Sequence, residues 1–168
     1  GDELFEIVHE AAKEFNGAVI APNTIRTIEG GLLSYQSDFG REHNPFTIGL
    51  DRLVDLDQDI DFIGKEALKK IKSEGISEKL VGVEIDGDPI QKVPENFWPV
   101  FDENHKKIGR LSRCFFSPRL KKNIGLAIID INFVKPGTPL VIESPKAHLN
   151  AQVHELPWFP AEKSTNLD

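Results

Sequence analysis

The chain has no methionine, one cysteine, one tyrosine and two tryptophans in 168 residues. A single thiol, Cys114, excludes an internal disulfide and any metal site built from several cysteines. It lies inside a strand-like run, so it is expected as a buried small hydrophobe rather than a reactive nucleophile, and a reducing cytoplasm fits it. Without methionine, Gly1 is not a translation start, and the chain is expected to be a piece of something longer. No apolar run approaches the roughly 18 residues of a membrane-spanning helix, and no secretory leader opens the chain. Positive charge is also short: 20 Lys and Arg stand against 27 Asp and Glu, for a net charge of −7. That balance argues against nucleic-acid binding, which depends on cations neutralising phosphates. HExxH, GxSxG, the phosphate-binding loop and the dinucleotide fingerprint are all missing. The run Asp55, Asp57, Asp59 and Asp61 lacks the glycine and closing glutamate of a calcium loop and reads as a solvated acidic stretch. The five histidines show no metal-ligand spacing.

What is present divides near Gly75. Before it, Asp2–Asn16 reads as a helix: Leu4, Val8, Ala11 and Phe15 form one apolar stripe, expected as core, and Asn16-Gly17 supplies a left-handed stop. Ala18–Ala21 reads as a short extended run into Pro22. Asn23 or Thr24 then caps a helix over Ile25–Leu33, weakened by Gly30-Gly31. Asp51–Val54 reads as a helical turn. Asp61 is expected to cap a further helix, with Phe62, Ala67, Leu68 and Ile71 inward and its lysines solvated.

After Gly75, short strand-like runs replace helices: Leu80–Ile85, Trp98–Phe101, Ile108–Phe116, Ile124–Ile131, Leu140–Glu143 and Ala147–His154. Asp-Gly, Pro-Gly and Ser-Pro turns separate them, which argues a small barrel or sandwich. The run from Ile108 to Leu140 reads as part of a β-meander. The expected organisation is α+β: residues 1–75 as the end of an α/β domain, 76–160 as a small antiparallel barrel, and 161–168 as a polar, frayed tail. Composition and spacing go no further toward a function.

Four stretches extend the reading. APNTIRTIEGGLLSYQSDF, NPFTIGLDRLVDLDQDIDFIGKEALKKIK, LVGVEI and the run from Ile108 to Leu140 resemble, in the same order, the C-terminal half of the folate-dependent aminomethyltransferases, the T-protein family of glycine cleavage. The branch they look most similar to contains dimethylsulfoniopropionate demethylase. The resemblance implies an enzyme that transfers a one-carbon unit to tetrahydrofolate, with this chain as the end of its folate-binding α/β domain plus the C-terminal barrel. It also implies that the N-terminal portion is the chain's partner, that the reactive aspartate lies before Gly1, and that the fragment alone is inactive. No catalytic residue and no metal ligand is implied in this chain.

By position, the resemblance places Glu29, Ser34, Tyr35 and Asp38 at the folate site. Asn23, Arg113 and Ser117 fall at the border of the substrate site. The family carries an Arg-Asp pair just before its counterpart of Glu29-Gly30-Gly31, and that arginine contacts substrate. Here the pair reads Asn23-Thr24, with Arg26 displaced along the helix. That departure points to a small-molecule methyl donor rather than an aminomethyl one. Within the residues themselves, Arg113 also reads as a strand charge paired locally, and Tyr35 as a buried ring with its hydroxyl satisfied. The alternatives are glycine-cleavage aminomethyltransferase, the folate half of a dimethylglycine or sarcosine dehydrogenase, and a non-catalytic folate-binding protein. The last of these carries a cysteine motif where this chain reads Phe62-Ile63-Gly64-Lys65-Glu66.

Overall fold

A computed structural model describes residues 1–19 and 23–159. Six strands form a closed barrel: β1 (Glu78–Ile85), β2 (Trp98–Phe101), β3 (Lys107–Ser117), β4 (Lys122–Asp130), β5 (Pro139–Glu143) and β6 (His148–His154). Closure runs in the order β1-β4-β3-β2-β5-β6, with every neighbouring pair antiparallel. A closed sheet leaves no row of unpaired backbone groups, which is how a barrel removes its edges. The expected α+β class, a helical segment followed by a small antiparallel barrel, is the observed one.

The barrel is not a meander. β3 and β4 are a hairpin, but β5 pairs with β2 and β6 instead of continuing from β4. The link between them passes through a 3-10 turn, Ile131–Phe133, and the left-handed Gly137, and this carries the chain away from β4. Alternation along each strand sends one set of side chains inward. Val83, Val100, Leu111, Ile129 and Ile142, all fully buried, belong to that interior cluster. β4 is apolar at successive positions because both its faces are covered. Ala127 and Ile129 belong to the interior cluster, while Ile124 and Leu126 pack outside with Ile28 and Trp158. Two glycines let β3 and β4 close up: a Cβ on Gly109 would lie 2.8 Å from Ile129 Cα, and one on Gly125 would lie 2.7 Å from the Arg113 carbonyl oxygen.

Cys114 is fully buried in this interior, and burial pushes its thiol up to about 12. Since the thiolate is the reactive form, the folded chain is expected to resist a thiol-labelling reagent at neutral pH and to label on unfolding. Rapid labelling of the native chain would contradict the buried placement.

Ahead of the barrel stand α1 (Asp2–Lys13), α2 (Thr24–Glu29), a 3-10 turn at Asp51–Leu53, and α3 (Lys65–Glu74). α1 ends at Lys13, three residues short of the expected Asn16, and Asn16 is left-handed as expected in the turn that follows. Its stripe is not core here, for none of its residues is buried. Of the expected extended run Ala18–Ala21, residues 20 and 21 lie outside the described ones, as does the tail 160–168; Ala18 and Val19 are in no regular element. α2 stops at Glu29, earlier than the apolar pattern implied, because Gly30-Gly31 ends it and Gly31 is left-handed. Asp61 does not cap α3. Its carboxylate accepts only from the neighbouring Phe62 N–H, and the helix begins after a left-handed Gly64. Phe62, Leu68 and Ile71 are half-buried, and Ala67 is exposed. Among the described residues no helix is long and apolar enough to cross a membrane.

Candidate functional site

The segment after α2 is fastened to the outside of β3 by a buried charge cluster. In a regular strand, successive side chains point to opposite faces. β3 breaks this at Ser112: Leu111 faces Ala127 and Arg113 faces Leu126, so Ser112 is an extra residue in the ladder. A bulge of this kind re-aims side chains. Here it brings the consecutive Ser112 and Arg113 to the same carboxylate oxygen. The Ser112 hydroxyl donates to Asp38 Oδ1 at 2.7 Å, and Arg113 Nε donates to that oxygen at 2.8 Å.

The other Asp38 oxygen, Oδ2, accepts from Arg113 Nη2 at 2.6 Å and from the Ser34 backbone N–H at 2.8 Å. The pair is therefore bidentate, the strong form of an arginine–carboxylate interaction. Arg113 reaches further into the segment, donating to Thr27 Oγ1 at 3.1 Å and to the Leu32 carbonyl at 2.9 Å. Asp38 has no exposed surface, and Arg113 is buried as well. The partner of Arg113 is thus not local, as a strand charge would have it, but lies 75 residues earlier.

A second fastening lies at the C-terminal end of β3. Ser117 donates to Glu29 Oε1 and accepts from the Leu120 N–H, while the Glu29 carbonyl accepts from Trp158 N–H at 3.0 Å. Glu29 and Ser117 are both buried. Removing the Ser117 hydroxyl leaves a buried carboxylate oxygen without a donor, a loss of about 1–3 kcal/mol. Ser117→Ala is expected to lower the urea midpoint accordingly, and an unchanged midpoint would show that the bond contributes nothing.

The two fastenings give the expected site residues different tasks. Asp38, Arg113, Glu29 and Ser117 are brought together in pairs, but their polar groups face each other inside the junction. Asn23 caps α2, its side chain accepting from Ile25 N–H at 2.8 Å. Ser34 contributes its backbone. Tyr35 is not the buried ring it could have been: it is 53% exposed, edge-on to Phe39. The loop it stands in is held by Gln36 N–H donating to the Phe39 carbonyl, which leaves Gln36 left-handed at φ 69°. A non-glycine residue in that region is uncommon and persists only where its surroundings enforce it.

Beside this loop lies a groove of about 320 Å³ whose walls include Gln36, Ser37, Asn96, Phe97 and the Arg113 side chain. Phe97 forms an aromatic wall stacked against the Arg110 guanidinium at 4.7 Å. Sequence reading missed Ser112, Gln36, Asn96 and Phe97. Only Phe97, an aromatic at the end of a polar loop and next to Trp98, carried any signal. On the far side of residues 93–97 a larger cleft of about 900 Å³ opens toward Trp98 and Leu149. The groove offers carboxamides, hydroxyls and a ring, which are groups that orient a ligand. It offers no activated nucleophile, and no cluster of metal-binding side chains occurs among the described residues.

Fold and junction together define a class: a closed six-stranded antiparallel barrel with a mostly irregular segment fastened to its outer face. Residues 78–160 match the family described as the glycine cleavage T-protein C-terminal barrel domain. An aminomethyltransferase from Geobacillus is 37% identical over 164 residues, which is 95% of this chain and 43% of that protein. One from Caldanaerobacter subterraneus is 38% identical over 142 residues, covering 83% of this chain and 36% of its own length. The crystal structure of the glycine cleavage system aminomethyltransferase T from Bartonella henselae superposes with a TM-score of 0.70 at 20% identity, over 79% of this chain and 36% of that one. That likeness concerns the fold. The chain spans less than half the length of the relatives it matches.

Proposed function

We propose that this chain is the C-terminal portion of a tetrahydrofolate-dependent one-carbon transferase, and specifically of an aminomethyltransferase of the glycine-cleavage kind. The observation that carries the proposal is continuity. The aminomethyltransferase match runs through the segment and the barrel alike, over 95% of the chain. In this reading residues 1–75 end the folate-binding domain and residues 76–160 are the barrel that packs on it.

The demethylase reading, with a small-molecule methyl donor, moves to second place. It rested on Asn23 standing where the family has a substrate arginine, and Asn23 has a sufficient structural task as the cap of α2. The relatives named above are aminomethyltransferases.

Tetrahydrofolate fits what the chain exposes in part. Tyr35 presents a ring and hydroxyl, and Gln36 and Asn96 present carboxamides to the groove, whereas Asp38 and Glu29 are occupied internally. Tyr35 and Gln36 would border the folate, and the Asp38–Arg113 pair would hold their loop in place. When bound, the folate accepts the one-carbon unit. What these residues contribute is orientation, which by itself can remove much of the barrier to a transfer between two bound groups.

The test uses the longer protein containing this chain, an aminomethyl-loaded lipoyl carrier and tetrahydrofolate. Release of ammonia with formation of methylene-tetrahydrofolate is expected. Methyl-tetrahydrofolate formed from a sulfonium or N-methyl donor, without ammonia release, would overturn the proposal and restore the demethylase reading.

A further inference from the structure

Among the described residues, four that are not glycine stand on left-handed backbone: Asn16, Gln36, His105 and Lys121. Asparagine and histidine enter that region several-fold more often than most residues. Lys121 lies in the β3–β4 turn, and hairpin turns regularly place a residue there. Neither reason covers Gln36. Of the four, it alone lines either of the two cavities.

The turn around Gln36 holds its backbone in that conformation. The Ser37 and Asp38 N–H groups both donate to the Ser34 carbonyl, at 3.2 and 2.9 Å, and the Gln36 N–H donates to the Phe39 carbonyl at 2.7 Å. Asp38 is fixed in turn by Ser112 and Arg113. Glycine adopts such backbone at no steric cost, so a stable turn by itself calls for glycine at this position. A side chain kept there against that preference marks a place where it serves a ligand.

The groove shows what kind of group it serves. Its charged walls are engaged elsewhere: Glu95 pairs with Lys92 at 2.6 Å, and Arg113 pairs with Asp38. What is left for a ligand is neutral, namely the Gln36 and Asn96 carboxamides and the Ser37 hydroxyl, all on exposed residues beside the Phe97 ring. A carboxamide sets a donor next to an acceptor, and the group that matches both at once is another amide.

We infer that Gln36 is a specificity-determining residue, whose carboxamide reads an amide of the bound ligand and for whose sake the left-handed backbone carries a side chain. The inference rests on the reading that the groove borders tetrahydrofolate. That molecule carries two amides, the lactam of its pterin ring and the benzoyl amide of its tail.

The experiment titrates tetrahydrofolate into the longer protein containing this chain and into its Gln36→Gly and Gln36→Ala variants, and follows urea unfolding of all three. Both variants lack the carboxamide, and only alanine keeps the Cβ. Each is expected to raise the Kd for tetrahydrofolate by about threefold or more, the contribution of one neutral hydrogen bond. Gln36→Gly should have a higher urea midpoint than the parent and Gln36→Ala an unchanged one, so that affinity follows the carboxamide while stability follows the Cβ. A titration with tetrahydropteroate, which keeps the lactam and ends in a carboxylate where the tail amide stood, names the group that is read. A matching loss in the variants assigns the lactam, and an affinity independent of Gln36 assigns the tail amide; both support the inference. Tetrahydrofolate binding unchanged in either variant, affinities that track the midpoints, or a glycine variant no more stable than the parent would each overturn it. Lack of tetrahydrofolate binding by the parent protein would remove the folate reading, and this inference with it.

Discussion

Replacing Arg113 by alanine is expected to destabilise the chain by about 3–5 kcal/mol, the loss that follows when one partner of a buried ion pair is removed. The reason is Asp38, which has no exposed surface and would keep a charge with two of its four donors gone. Ser112 and the Ser34 N–H remain as donors, but neither carries a charge. Arg113→Lys should recover only part of the loss, because an ammonium cannot form the two parallel bonds to Asp38 while also reaching Thr27 and Leu32. Removing both charges, as in Asp38→Leu with Arg113→Met, should be less damaging than either single change, since the cost lies in the uncompensated charge. Chemical denaturation of these variants measures this. An Arg113→Ala loss within about 0.5 kcal/mol would place the pair among ordinary surface contacts.

Gly109→Ala is expected to be at least as damaging, through a different route. The added methyl would overlap the Ile128 carbonyl oxygen and lie 2.8 Å from Ile129 Cα. Both obstacles are backbone, so no side chain can swing aside. β3 and β4 would have to part, and their ladder is one of the two longest in the barrel. Overpacking against side chains costs about 1–3 kcal/mol, and an obstacle that cannot yield belongs at or above the top of that range. Loss of the cooperative unfolding transition, or a midpoint lowered to match, is the expected observation. Gly137→Ala is a contrasting control: it is strained by its φ of 83° but meets nothing within 4 Å, so it should cost less. Equal effects at the two positions would show that close strand approach is not what Gly109 provides.

Much of the fold was legible because its signals are local. Each of the six strands lies within two residues of its expected span, since alternation and turn residues are read over a few positions. Asn23 was legible as one of two candidate caps, Asn16 as a left-handed stop and Gly137 as part of a turn, for the same reason. Pairing order was not. Period-two alternation says which face a residue occupies but not which strand lies beside it, so β5 was placed next to β4. α3 was started too early because Asp61 looks like a cap, while the left-handed Gly64 a few residues on prevents the helix from beginning there.

The junction was legible only as a set of residues near one another by resemblance. Arg113 and Asp38 are separated by 75 positions, and Ser112 joins them through a bulge that violates the alternation used to read the strand. The unburied stripe of α1 is the converse case. Its amphipathic pattern was plain, but the pattern says that a face must be covered and not what covers it.

The most direct test of the folate reading is a titration of the longer protein with tetrahydrofolate, compared with its Tyr35→Ala variant. Saturable binding by the parent protein, weakened in the variant while its unfolding midpoint stays the same, is the predicted result. The absence of saturable binding at millimolar tetrahydrofolate in the folded parent protein would contradict it.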